Sequence, residues 1–335
     1  MLGRTRLPFA VSLLLFAAAC RDATDVPTSP QSRTLSASER TDQGVEVLSR
    51  ARVHRTVDAV AAAHSAGSHG PPRHTSPELA YGGGGVEAAP AIYLVVWGSQ
   101  WNSNDPSGEI AILNNFYGGI GNSGWLNTVT QYCEGVAPGT VFCNGAGTAA
   151  GNQAGMLAGV WYDNASAAPA KPSQSNIASE AVRAAQHFGN TSPASNSSVH
   201  YVIATATRNN SSGFGSQYCA YHSSTSSSLG NVAYTNLPYI TDAGASCGAN
   251  FNGLGPYAGI TIVSGHEAAE SITDPFPDTG WLDSSGSELA DKCAWITTGT
   301  AGAAQNVTTS TGTFAVQSLW SNAASSDKGG CVVSY

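Results

Sequence analysis

Two short runs constrain this chain more than any other feature. Ala91–Trp97 (AIYLVVW) and Val199–Ala204 (VHYVIA) are β-branched and aromatic, with His200 the one strongly polar residue in either. That composition belongs to strands buried on both faces, which need helices above and below them. Helical patterns are present around them. Asp105-Pro106 precedes Ile110, Leu113 and Phe116 at helical spacing, so Asp105 is expected as the N-cap with Pro106 in the first turn. Residues 175–188 read as a second helix, and 231–239 as an edge strand. Strand and helix alternate, which predicts an α/β fold with parallel strands and backing helices.

The first twenty residues combine Arg4 and Arg6, an apolar run from Leu7 to Phe16, and Ala17-Ala18-Ala19-Cys20. This is the layout of an export signal. A cysteine after three small residues points to a bacterial lipoprotein signal with Cys20 as the lipid-bearing residue; plain secretion is the alternative, because Ala17 stands where leucine is commoner. Either way the expected location is outside the cytoplasm, on the outer face of the cell envelope or secreted, with an N-terminal lipid as the only membrane contact. Six further cysteines lack any CxxC pair, so disulfides are expected rather than a zinc ribbon or redox site. Sequential pairing is expected: Cys133 with Cys143, Cys219 with Cys247, Cys293 with Cys331.

Residues 21–80 are rich in Arg, Ser, Thr, Ala and Pro and read as a flexible tether or pro-segment. Within them Val45, Leu48, Val53, Val57 and Val60 fall at roughly helical spacing, which leaves room for a short helix packed on the main domain, residues 81–335. That domain holds only five basic residues: Lys171, Arg183, Arg208, Lys292 and Lys328. No nucleic-acid partner is expected for such a surface.

The stretch Ser264–Pro275 (SGHEAAESITDP) carries the chemistry. A helix from about Tyr257 to Thr273 places His266 and Glu270 one turn apart on one face, with Asp274-Pro275 ending it. An imidazole and a carboxylate so placed can hold one ion, and zinc accepts both donor types. Glu267, beside them, stands where the general base of a zinc hydrolase would stand. Seven of the fifteen acidic residues from Tyr81 onward fall between 267 and 291, with no Lys or Arg among residues 267–291. Massing Glu267, Glu270, Asp274, Asp278, Asp283, Glu288 and Asp291 in this way calls for a cation or for protonation. A further ligand is expected from Glu288 or Asp291, and Asp291 is alternatively a partner for the second nitrogen of His266. His222 is either a fourth ligand, a donor to the reacting group, or structural. His54, His64, His69, His74, His187 and His200 are expected to have no role at the site.

With these residues in hand, the chain resembles the EXORDIUM-like (phosphate-induced protein 1) family of secreted proteins. The resemblance runs from about residue 90 to the C-terminus. It is carried by Ala91–Trp97 with Gly98 and Trp101, the strand around Tyr201, Cys219 with His222, Tyr234 with Pro238 and Tyr239, Gly265–Glu270 with Asp274-Pro275, and Gly280-Trp281 leading to Glu288–Cys293. The family's His-Glu-x-x-Glu motif is similar to that of zincin metallopeptidases. The resemblance implies a zincin-like mixed sheet stabilised by disulfides, with His266, Glu270 and Glu288 or Asp291 at a metal and Glu267 as base. Asp274 matches an Asn/Asp position, which implies a helix-ending or supporting role.

The expected function is therefore that of an exported zinc-dependent metallohydrolase, a peptidase acting on a peptide or cell-wall substrate. Manganese or calcium replaces zinc if the carboxylates make the site too hard. The alternatives are a non-enzymatic surface protein whose cation pins the acidic loop, and a glycan-binding wall protein using Trp97, Trp101, Trp125, Trp161 and Trp281.

Overall fold

The computed structural model describes residues 51–67, 78–102 and 104–335. The expected export signal, Cys20, His69 and His74 lie outside those residues. Strands β1 (Arg52–Arg55), β2 (Ala91–Trp97), β3 (Leu157–Asp163), β4 (Val199–Thr205), β5 (Tyr218–Ser227) and β6 (Gly230–Leu237) form one six-stranded sheet. Their spatial order is β1-β5-β6-β4-β2-β3. The pairs β2/β3, β2/β4 and β4/β6 are parallel, whereas β5/β6 and β1/β5 are antiparallel. The sheet is mixed.

Period-two alternation divides the strands between two cores. Ile92, Leu94, Val96, Val202, Ala204, Ala220 and Leu237 face one side; Val95, Trp97, Val199, Tyr201, Ile203, Tyr221 and Tyr234 face the other. Helices α2 (Glu109–Ile120) and α4 (Ala258–Thr273) cover the first face, and α3 (Gln174–His187) the second. Helix α3 opens on a capping box, in which Ser173 Oγ accepts from Asn176 N and Asn176 Oδ1 accepts from Ser173 N.

Three expectations about elements need correction. Helix α2 starts at Glu109, not Pro106, because Gly108 turns the chain at φ 65° just before it. Asp105 caps it all the same, reaching across that turn to accept from Glu109 N at 2.8 Å and Ile110 N at 3.2 Å. The strand expected at an edge, β6, lies inside the sheet between β5 and β4. The edge belongs to β1, so residues 52–67 are not a tether: they form this strand and then helix α1 (Val57–Gly67), where Thr56 Oγ1 accepts from Ala59 N at 3.2 Å.

Beyond α4 the chain returns across it. A hairpin of Gln305–Thr308 and Thr313–Val316 is fastened by Thr261 Oγ1, which donates to Ala315 O at 2.7 Å. The cysteines pair in sequence order, Cys133–Cys143, Cys219–Cys247 and Cys293–Cys331, and disulfides belong to an oxidising compartment. No helix among the described residues is long and apolar enough to cross a membrane. Trp97, Trp101, Trp125 and Trp281 are buried core residues, so they offer no glycan platform.

Candidate metal centre

Helix α4 is buried along its whole length, polar residues included. It lies close to its neighbours because Gly265 lacks a Cβ; one placed there would stand 3.0 Å from both Phe116 and Trp125. His266, Glu267 and Glu270 on this helix are fully buried. Burying ionisable groups is costly unless something pairs with them.

What faces them is more of the same. Strand β5 directs His222 at the helix, and the loop after α4 brings Glu288 and Asp291. His266 Nε2 lies 3.1 Å from Glu270 Oε2 and 3.7 Å from Asp291 Oδ1. His222 Nδ1 lies 3.2 Å from Glu267 Oε2 and 3.5 Å from Glu270 Oε2, while its Nε2 is 3.5 Å from Glu288 Oε1. Neighbouring donors around a tetrahedral zinc with bonds of roughly 2.0–2.2 Å are about 3.3–3.6 Å apart. His266 Nε2, Glu270 Oε2 and Asp291 Oδ1 come close to such a spacing, as do donor atoms of His222, Glu267 and Glu270. The contacts of His222 to Glu270 and to Glu288 use opposite ring nitrogens and so belong to different positions.

Hydrogen bonding fixes which atoms are left over. Gln317 Nε2 donates to Ala290 O at 2.7 Å, so its Oε1 faces His266 and accepts from Nδ1 at 3.1 Å. The proton of His266 therefore sits on Nδ1, and Nε2 presents a lone pair towards Glu270 and Asp291. Asp291 N donates to Glu270 Oε1 at 2.9 Å, which leaves Glu270 Oε2 turned towards both histidines. Among buried atoms without a hydrogen bond are His266 Nε2, His222 Nε2, Glu267 Oε1, Glu270 Oε2 and both carboxylate oxygens of Glu288. Lone pairs converging in one dry place repel each other unless a proton or a cation lies among them.

The ionisation equilibria carry the same strain. Burial, opposed by the hydrogen bond from His222, pushes Glu267 up to about 7. Burial and then the neighbouring carboxylates hold Glu270 well above the usual carboxylate range, and burial with Asp291 does the same to Glu288.

His266, Glu270, Glu288, Asp291, His222 and Glu267 are thus brought together. Asp274 is not. Its carboxylate accepts from Gly280 N (2.7 Å), Asp278 N (2.9 Å) and Thr279 N (3.3 Å), closing the loop that follows α4. Expected as either a ligand or a supporting residue, Asp274 is placed by these bonds, all of which organise the turn.

Three participants escaped the sequence reasoning. Gln317 is one, and no local pattern marks it. Arg52 and His54 are the others, and the expectation that His54 plays no part at the site fails. The His54 ring stacks on His266 at 3.8 Å and 3° between planes, and Trp295 covers its other side at 4.8 Å. His54 is fully buried and neither ring nitrogen is hydrogen-bonded. It approaches His266 and Glu267 closely enough to share an ion with them, yet an ion in the plane of one stacked ring is well off the plane of the other. His54 covers the site rather than completing the shell of His266.

No family model, curated protein or solved structure matches this chain.

Proposed function

We propose that the chain is an exported zinc-dependent hydrolase with a zincin-like core related to the EXORDIUM-like proteins, acting on peptide bonds. The observation that carries this reading is the pair of unpartnered buried donor atoms His266 Nε2 and Glu270 Oε2, 3.1 Å apart, with Asp291 Oδ1 3.7 Å from the same nitrogen, three atoms close enough together to take one ion. An ion held there would act as a Lewis acid towards a substrate carbonyl and make water more acidic.

The chain's own residues supply the rest. Glu267 Oε2 is fixed by His222 Nδ1, and Oε1 has no partner. A carboxylate with one steered oxygen and one vacant oxygen, titrating near neutrality, can accept a proton from water and return it to a leaving amine. Gln317 holds His266 in the tautomer whose Nε2 faces inward. Asp291, 28% exposed, is the one member of the set that solvent reaches. With Glu267 set apart as base, the carboxylates of Glu270, Glu288 and Asp291 beside two imidazoles also suit a harder ion, manganese or calcium, with weaker activation of water.

Glu267→Gln separates chemistry from metal holding. The variant should retain its metal and lose at least roughly a hundred-fold in peptide turnover. Equal turnover in both proteins would remove Glu267 from the reaction. A second reading, a cation that only pins the loop of residues 274–291 to α4, is favoured by the near-complete burial of Glu267, Glu270, Glu288, His222 and His266. On that reading Glu267→Gln changes no activity, while Glu270→Ala lowers the melting temperature.

A further inference from the structure

The strand that closes this site has the form of a bound peptide. β1 is four residues long and pairs antiparallel with the edge of β5, Arg52 opposite His222 and His54 opposite Ala220. Alternation along β1 therefore sends Arg52 and His54 to the face where His222 and α4 lie, and turns Val53 into the opposite core with Tyr221.

Each inward side chain meets a receptor. The Arg52 guanidinium pairs with Asp278, donates to Gly286 O at 2.6 Å and stands 3.9 Å from Glu288 Oε2. His54 fills the space between His266 and Trp295, and Trp295 Nε1 donates to Arg55 O at 2.8 Å. Main-chain pairing along an edge, with pockets for alternate side chains, is how folded domains take up extended peptides. The same strand lies against the candidate site, with His54 stacked on His266 and Arg52 beside Glu288.

We propose that the edge of β5 is the polypeptide-binding cleft of this site, selective for a basic residue between Asp278 and Glu288, and that Arg52–Arg55 occupies it as an internal mimic of the extended peptide it receives. Displacement of β1 opens the cleft. The fate of a bound peptide rests on the hydrolase reading; its capture does not.

The full chain is used for the test. A fluorescent peptide with the sequence of residues 51–67 is titrated, by anisotropy, into wild type and into Arg52→Ala/His54→Ala. A strand in cis competes at an effective concentration of about millimolar, so the double variant should bind the peptide roughly ten-fold or more tightly than wild type. Alanine at the peptide's Arg52 position should weaken binding to the variant by roughly ten-fold. Equal binding by both proteins, or indifference to that arginine, overturns the proposal.

If the double variant loses its melting transition, a second protein replaces it: wild type with a protease recognition sequence in place of residues 70–76, cut in solution. Exchange of the cut segment for labelled peptide is expected; a segment that never exchanges in excess peptide overturns the proposal. Hydrolysis is scored separately. Peptide capture without cleavage defeats the hydrolase reading alone, and cleavage without any response to β1 substitutions defeats the cleft alone.

Discussion

Gln317 Oε1 lies 3.1 Å from His266 Nδ1, and this contact decides which nitrogen of His266 faces the carboxylates. Because Gln317 is itself held by its bond to Ala290 O, it cannot turn its amide nitrogen to the ring without losing that bond. Gln317→Ala should therefore loosen the orientation of His266 while leaving the fold standing. Zinc affinity, measured by competition with a chromogenic chelator, is expected to fall by about 10–100-fold. Unchanged affinity would mean that α4 alone orients the ring.

The Cys219–Cys247 disulfide joins the start of β5 to the segment that leads into α4, three residues before His222. Replacing both cysteines by alanine frees a loop with a sequence separation of 28. Loop-closure entropy puts the loss of stability at about 3–4 kcal/mol. Denaturant unfolding of the oxidised wild type beside the double variant checks this, and metal affinity should fall along with stability, since the two elements that carry His222 and His266 lose their covalent tie.

Glu87 lies away from the centre, fully buried, with Ser271 Oγ donating to Oε1 at 3.2 Å and Oε2 without a partner. Burial pushes it up to about 8 from an ordinary value of 4.5. A carboxyl raised in the folded state is protonated there, so its contribution is intact below the unfolded value of 4.5 and is lost as pH rises through 8. Glu87→Gln keeps an acceptor for Ser271 and cannot ionise. It should stabilise the protein by roughly 2–4 kcal/mol at pH 8 and by almost nothing at pH 4, which thermal melts at the two pH values would reveal. A gain of equal size at both pH values would point to packing instead.

What the sequence makes legible follows from how local each cause is. Helix α4 and the one-turn spacing of His266 and Glu270 depend on neighbours four residues apart, and the buried runs at 91–97 and 199–204 declare themselves by composition. The clustering of Glu288 and Asp291 near that helix could be anticipated because seven acids without a basic neighbour need relief. Strand β1 could not. Its four residues carry no period long enough to register, and they form a strand because β5, far along the chain, offers an unpaired edge. The same distance hid His54 and Arg52 from the site, and nothing in the residues around Gln317 distinguishes it from a solvent-facing glutamine. Asp105 shows a milder form of the problem: the capping residue was legible, while the turn through Gly108 that displaces the helix by several residues was not.

A metal ion is the proposed partner of the buried lone pairs on α4 and the residues facing it. Glu270 is the residue on which both histidines converge, at 3.1 Å from His266 and 3.5 Å from His222, so its removal should dismantle the shell. The most direct measurement is the metal content of the purified full chain by elemental mass spectrometry, wild type beside Glu270→Ala. Near-stoichiometric zinc in the wild type, absent from the variant, is the predicted result. A wild type free of zinc, manganese and calcium, or a variant that retains as much metal as wild type, would contradict it.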